Sequence, residues 1–184
     1  MNNNPYAPPQ AEVADVSHSS EGDGTTPTFY PCSLLKVGLL SVCTLGLYQI
    51  FWFYKNWCLE KDRTGENIMP VWRSIFGVFF CYDLFKRIRA YQHKEQRNEL
   101  PAGMYATIWI ICNFAYRLPG LLFWLGFLSV APVVLVQAEI NAINAADAPG
   151  HDPNTRFTVW NWIIVLVGIG IVTLAIIGSM ETGE

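Results

Sequence analysis

Charge is absent from long stretches of this chain, and that absence constrains its fold more than any motif. Residues 157–180, 118–138, 102–116 and 37–54 carry no charged side chain, in runs of 24, 21, 15 and 18 residues. About 18 consecutive apolar residues are enough for a helix to cross a hydrocarbon core of about 30 Å. The two longest runs exceed that length, and the expected fold class is therefore all-α, a polytopic membrane protein. Composition agrees: 52% of the 184 residues are hydrophobic and 15% charged, against about 25% charged in soluble domains. With a net charge of only -3, the chain is not expected to be a soluble enzyme, a disulfide-stapled secreted domain or a nucleic-acid binder.

The segments differ in clarity. Residues 157–180 rise about 36 Å as a helix and should span, with Phe157, Trp160 and Trp162 at the headgroup level and Glu181 and Glu184 beyond the far end. Residues 102–138 are interrupted only by Arg117, and one helix of that length would rise about 55 Å, so the chain must turn back. Leu118-Pro119-Gly120-Leu121 supplies the turn, with Pro pre-set for the first central position and Gly for positive φ at the second. A helical hairpin follows, residues 102–116 outward and 121–138 back, with Arg117 snorkelling to the far interface and Pro132 kinking the returning helix. Residues 37–54 are just long enough to span, yet Thr44-Leu45-Gly46-Leu47-Tyr48 in their middle has the makings of an elbow. Residues 70–85 hold only nine uncharged positions in a row and suit an interfacial or re-entrant helix.

Nine of the twelve bases lie between Lys55 and Arg97, whereas four acids and no base precede Lys36. Short loops rich in Lys and Arg stay in the cytoplasm, which fixes Lys86 to Arg97 inside. Two arrangements remain. In the first, residues 33–54 cross once from outside and the protein has four transmembrane helices. In the second, the tail starts inside and residues 70–85 form a short fifth span. The first is favoured, because the second exports Lys55, Lys61 and Arg63. Residues 1–30, rich in Asn, Pro, Ser and acids, carry too little apolar surface to order and form a disordered tail, while residues 31–184 form a single helical membrane domain.

Thr44-Leu45-Gly46-Leu47-Tyr48 followed by Phe51-Trp52-Phe53-Tyr54-Lys55-Asn56-Trp57 resembles the Thr-x-Gly-x-Tyr and Trp-Phe-Tyr-Lys signature of a family of uncharacterised small bacterial multi-pass membrane proteins. Lys61-Asp62-Arg63-Thr64-Gly65, Trp72-Arg73, Phe80 to Arg87 and Ala148 to Asn154 resemble later blocks, and Asn4-Pro5-Tyr6-Ala7-Pro8-Pro9 resembles the start of many such proteins. The resemblance covers most of residues 29–155. It implies a bacterial inner (cytoplasmic) membrane location and a cytoplasmic tail, which pulls against the four-span arrangement. No substrate, cofactor or catalytic residue follows from it.

No pair among Cys32, Cys43, Cys58, Cys81 and Cys112 has the two-residue gap of a zinc or redox site, and most are read as small apolar fillers. His18, His93 and His151 are scattered, and the sequence contains no phosphate-cradling loop, nucleophile elbow or metalloprotease helix. No catalytic, cofactor or metal residues are expected, and no enzyme. Asp83 has Lys86 and Arg87 three and four positions on, the spacing of a local ion pair. The basic stretch from Lys86 to Arg97 can lie against anionic lipid at about 1 kcal/mol per base.

The expectation is a non-enzymatic scaffold or accessory protein whose cytoplasmic face docks a partner or anionic lipid. Trp52, Tyr54, Lys55, Trp57, Arg63, Arg73, Asp83, Lys86 and Arg87 are its candidate residues. Expected partners are the lipid bilayer, its anionic lipids and a membrane or cytoplasmic protein, with no nucleic acid, and homo-oligomer formation is open. The alternative is a small transporter or channel subunit in which Asp83, Arg73 and Arg117 face one polar cavity.

Overall fold

A computed structural model describes residues 24–95 and 100–181. The described residues are helical and contain no strand: α1 Leu34–Cys43, α2 Leu47–Thr64, α3 Pro70–Ile75, α4 Gly77–Lys94, α5 Ala102–Ala115, a 3-10 segment Gly120–Ser129, α6 Val130–Asp147 and α7 Val159–Glu181. Among the described residues two stretches, Leu122–Asp147 and Val159–Gly178, are long and apolar enough to cross a membrane.

The 33–54 stretch, expected to run as one crossing, is broken in its middle and turns back on itself. Ser33 caps α1 by accepting from the Lys36 N–H, and ten residues later the helix stops at the expected elbow. Leu45 and Gly46 take φ of 51° and 89°, left-handed values that suit Gly. Thr44 seals the bend, its hydroxyl donating to Leu40 O and accepting from the Tyr48 N–H. The chain then returns as α2. Phe29 and Tyr30, which precede α1, consequently lie beside the end of α2: the Tyr30 N–H donates to Asn56 Oδ1 at 3.1 Å, and the Arg63 guanidinium sits 5.5 Å from the Phe29 ring. Residues 34–64 therefore begin and end at the same end of the helical body.

α3 and α4 make a second, shallower bend at Phe76, whose φ of -91° and ψ of 37° break the helix. α5 descends to the predicted turn, where Pro119 (φ -75°, ψ 159°) and Gly120 (φ 65°) adopt the dihedrals that the Pro-Gly pair anticipates. The return differs from expectation. Residues 120–129 wind as 3-10 helix and α6 starts at Val130, so Pro132 falls in the first turn of α6, where its missing N–H is harmless. α6 also runs nine residues beyond the expected end at 138, to Asp147.

Cross-helix contacts set the levels. Gly46 lies beside Tyr116, and Gln49 accepts from the Trp109 indole N–H at 2.6 Å and donates to Ser129 Oγ. The elbow and the α5 turn are therefore neighbours at one end of the body. At the other end sit residues 29–33, the end of α2, the end of α4, the start of α5 and the end of α6. α7 starts at this second end and runs parallel to α1. The buried Lys36 ammonium donates to Asn154 Oδ1 at 2.8 Å and Arg156 O at 3.0 Å, while Gly168 meets Cys43 so closely that a Cβ would lie 2.2 Å from its carbonyl oxygen. About thirteen residues of α7 continue past that contact, roughly 20 Å.

The core between the hairpins is aromatic: Trp52, Phe53, Phe85 and Trp109 pack with ring centroids 5.1–6.4 Å apart. Polar side chains thread it, the Trp52 indole N–H donating to Gln137 Oε1, while the equally buried Trp57 indole N–H has no hydrogen-bond partner among the described residues. α6 presents Gln137, Asn141 and Asn144 on one face at helical spacing, and these hold the extended segment before α1. Asn144 accepts from the Phe29 N–H at 3.0 Å and donates to Phe29 O at 2.8 Å; Asn141 donates to Cys32 O and Gln137 to Tyr30 O. Phe29 is fully buried as a result. The tail expected over residues 1–30 thus divides: residues 1–23 lie outside the described residues, and residues 24–30 belong to the body.

Candidate functional site: the charged face

α2 gains its charges only in its last turns, Glu60, Lys61, Asp62 and Arg63, and Gly65 ends it in a left-handed conformation with its N–H on Lys61 O. The following loop brings Glu66 back over α4. Glu60, 1% exposed, accepts from Arg63 one helical turn on and from Arg87 at 3.2 Å. Arg87 also grips Glu66 with both terminal nitrogens, at 3.1 and 2.8 Å, and its Nε lies 3.5 Å from Asp83. Arg73 of α3 closes the chain with a 2.6 Å bond to Asp83. Three guanidiniums and three carboxylates thus alternate without excess charge. The Arg87 hydrogen bond holds the Glu66 carboxyl below the usual carboxylate range, and Glu66 in turn raises Arg87.

Aromatic rings organise the guanidiniums. Trp57, fully buried, has Arg73 4.5 Å and Arg87 5.8 Å from its ring, and Arg63 lies 5.0 Å from Tyr91. Such contacts contribute about 0.5–2 kcal/mol each. The Tyr91 hydroxyl donates to Asp147 at 2.8 Å; burial, reinforced by that hydrogen bond, raises its ionisation above the ordinary range.

Five of the nine residues singled out from sequence, Trp57, Arg63, Arg73, Asp83 and Arg87, therefore meet in one cluster. The expected local pair of Asp83 with Arg87 is present, and Arg73 joins it from another helix. Sequence reading missed Glu60 and Glu66, the two acids that complete the cluster; Glu60 carried a signal, three positions before Arg63. Trp52 lies in the core on Gln137. Lys55 stands 5.9 Å over the Tyr30 ring, and Tyr54 is partly exposed nearby on α2. Lys86 points away from the cluster, into a cleft of about 320 Å³ formed with Tyr82, Arg89, Ala90, His93, Ala102 and Gly103. Arg117 lies elsewhere, in a cleft of about 450 Å³ with Ile75, Phe76, Val78, Phe79, Asn113 and Phe114, and does not share a cavity with Arg73 and Asp83. Asn113 donates to Trp109 O of its own helix.

Among the described residues no three His, Cys, Asp or Glu side chains converge to hold a metal ion, and the five cysteines are free, four of them buried. The cluster can fix helices and present charge. Comparison with family models, with curated proteins and with solved structures found no match.

Proposed function

We propose that this chain is an integral protein of a bacterial inner membrane, a non-enzymatic scaffold that holds anionic lipid headgroups at its charged end, as proteins of the family it resembles are placed but not explained. The observation that carries the proposal is a division of labour on α4. Arg87 turns inward and is neutralised with Arg63 and Arg73, whereas Lys86 and Arg89 stay exposed on the side facing α5. Just beyond them lies an apolar surface, Phe79 and Tyr82 of α4 with Met104, Ile108 and Ile111 of α5. Bases directly bordering exposed aromatic and aliphatic side chains mark a headgroup level. Lys86 then leads the docking face, with Arg89 exposed beside it, and the three arginines of the cluster are structural.

The same contacts support a membrane placement different from four full spans. Glu60 and Glu66 lie within 3.2 Å of Arg87, so a hydrocarbon core of about 30 Å cannot separate them. With Tyr30 on Asn56, the segment before α1 joins the same side. In this reading the α1–α2, α3–α4 and α5–α6 units are re-entrant hairpins from the cytoplasmic side, and α7 alone crosses, its 23 residues rising about 34 Å.

The test is lipid-specific stabilisation. Purified protein in neutral micelles is titrated with phosphatidylglycerol or phosphatidylcholine at low salt, and its melting temperature is followed. Phosphatidylglycerol should raise it more, and Lys86→Gln with Arg89→Gln should erase the difference without lowering the melting temperature in neutral micelles. Equal responses to both lipids, or an undiminished difference in the double variant, would overturn the proposal.

A further inference from the structure

If the body enters from one side and α7 crosses, which is the reading proposed above, the far membrane surface is set by the end of the apolar run of α7. Ile171, Leu174 and Ile177 are well exposed in its second half and must lie in hydrocarbon. Gly168 touches Cys43, and the elbow that follows Cys43 touches Tyr116. Thr44 and Leu45 share a cleft with Ile171, so the hairpin tips stop about 15 Å short of the end of α7. Arg117, next to Tyr116, is exposed at that depth. Its guanidinium stands 5.5 Å from the Phe114 ring, its cleft is otherwise lined by Ile75, Phe76, Val78, Phe79 and Asn113, and no carboxylate among the described residues lies within ion-pair distance of it.

An arginine at the bilayer centre is expensive, and membranes relieve it by snorkelling, local thinning and water defects. Snorkelling over roughly 6 Å of side chain cannot close the gap. We infer that the tip of the α5 hairpin binds lipid phosphate from the distal leaflet through Arg117, with Asn113 as the neighbouring polar group, and that the distal leaflet is drawn inward beneath the hairpins. The guanidinium offers five donors in a fork that fits phosphate oxygens, and the surrounding Phe and Ile side chains admit the acyl chains of the same lipid. Shape and charge thus fit a phospholipid.

The proposal makes a buried position wet. Cys58→Ala removes the one cysteine that is not buried, and single cysteines are placed at Leu118, beside Arg117, or at Gly178, where a side chain has open space. Reconstituted vesicles of phosphatidylethanolamine and phosphatidylglycerol are labelled with an impermeant maleimide from either side. Gly178→Cys should react only from the distal side. Leu118→Cys should react from that same side and slow about tenfold when Arg117→Leu is added, with Arg117→Lys retaining most of the rate. Protection of Leu118→Cys while Gly178→Cys reacts distally would overturn the inference and leave the membrane reading intact. Labelling of Leu118→Cys that ignores Arg117→Leu would overturn it too, since the tip would then reach distal water by itself. Failure of Gly178→Cys to react distally would refute the crossing of α7 and the placement beneath both proposals.

Discussion

Replacing Arg87 with Leu tests whether the charged cluster holds the hairpins together. The change removes the bonds to Glu60 and Glu66 and the contact with Asp83 while keeping an apolar stem beside Trp57. Orphaning a buried charge costs about 3–5 kcal/mol. Glu60 is 1% exposed but keeps Arg63, and the Arg87 side chain is 23% exposed, so the expected loss is reduced to about 2–3 kcal/mol. Glu66→Gln removes only the outer partner, whose side chain is half exposed, and should cost clearly less than Arg87→Leu. The assay is equilibrium unfolding in mixed micelles by a denaturing detergent, followed by tryptophan fluorescence. A double-mutant cycle of Glu60→Gln with Arg87→Gln should give a coupling energy of about 1–3 kcal/mol. Arg87→Leu and Glu66→Gln losing equal stability, with no coupling in the cycle, would refute the claim that the cluster is structural.

Other consequences can be measured on the same footing. Asn144→Ala strips both partners from Phe29 and should cost about 2 kcal/mol, with faster amide exchange at Phe29 and Tyr30 than in the parent. Gly46→Ala puts a Cβ on a residue at φ 89° and should destabilise the elbow by about 1–2 kcal/mol, read by the same unfolding titration. Gly168→Val forces a side chain into the Cys43 carbonyl, so exchange should rise along α7 and α1 and stay unchanged in α4. Glu66 has a folded pKa below its unfolded value, so its bond to Arg87 contributes above the ordinary carboxylate range and is lost as pH falls through the depressed value. The stability difference between the parent and Glu66→Gln should be constant near neutrality and vanish on acidification.

Charge spacing and turn chemistry revealed much of this fold. The Pro119-Gly120 turn, the helix over residues 102–115 and the long last helix follow from sequence directly, because a bilayer-length apolar run and a Pro-Gly pair each have few structural outcomes. The front half was harder. Eighteen uncharged residues satisfy the length test for a span, and only contacts at its two ends reveal that the Thr44–Gly46 bend returns the chain. Those contacts come from carboxamides, Asn56 and Asn144, whose pairing with a backbone segment more than 25 residues away has no local signature. Gln137, Asn141 and Asn144 share one face at helical spacing, yet the expected helix stopped at 138, and a buried polar face is costly until its partner is known. The candidate site was half legible for a similar reason. Arginines between aromatic residues announced themselves, whereas Glu60 and Glu66 looked like ordinary surface acids until the bend of α3 set Arg73 and Arg87 around them.

The central claim is that residues 34–64 enter and leave the membrane on one side. Spin labels at Thr28→Cys and Asp62→Cys in lipid nanodiscs, with the distance read by double electron–electron resonance, test it most directly. Return of the chain at the Thr44–Gly46 elbow predicts a separation below about 25 Å, whereas a single crossing by residues 33–54 requires more than the roughly 30 Å of a hydrocarbon core and would contradict the account.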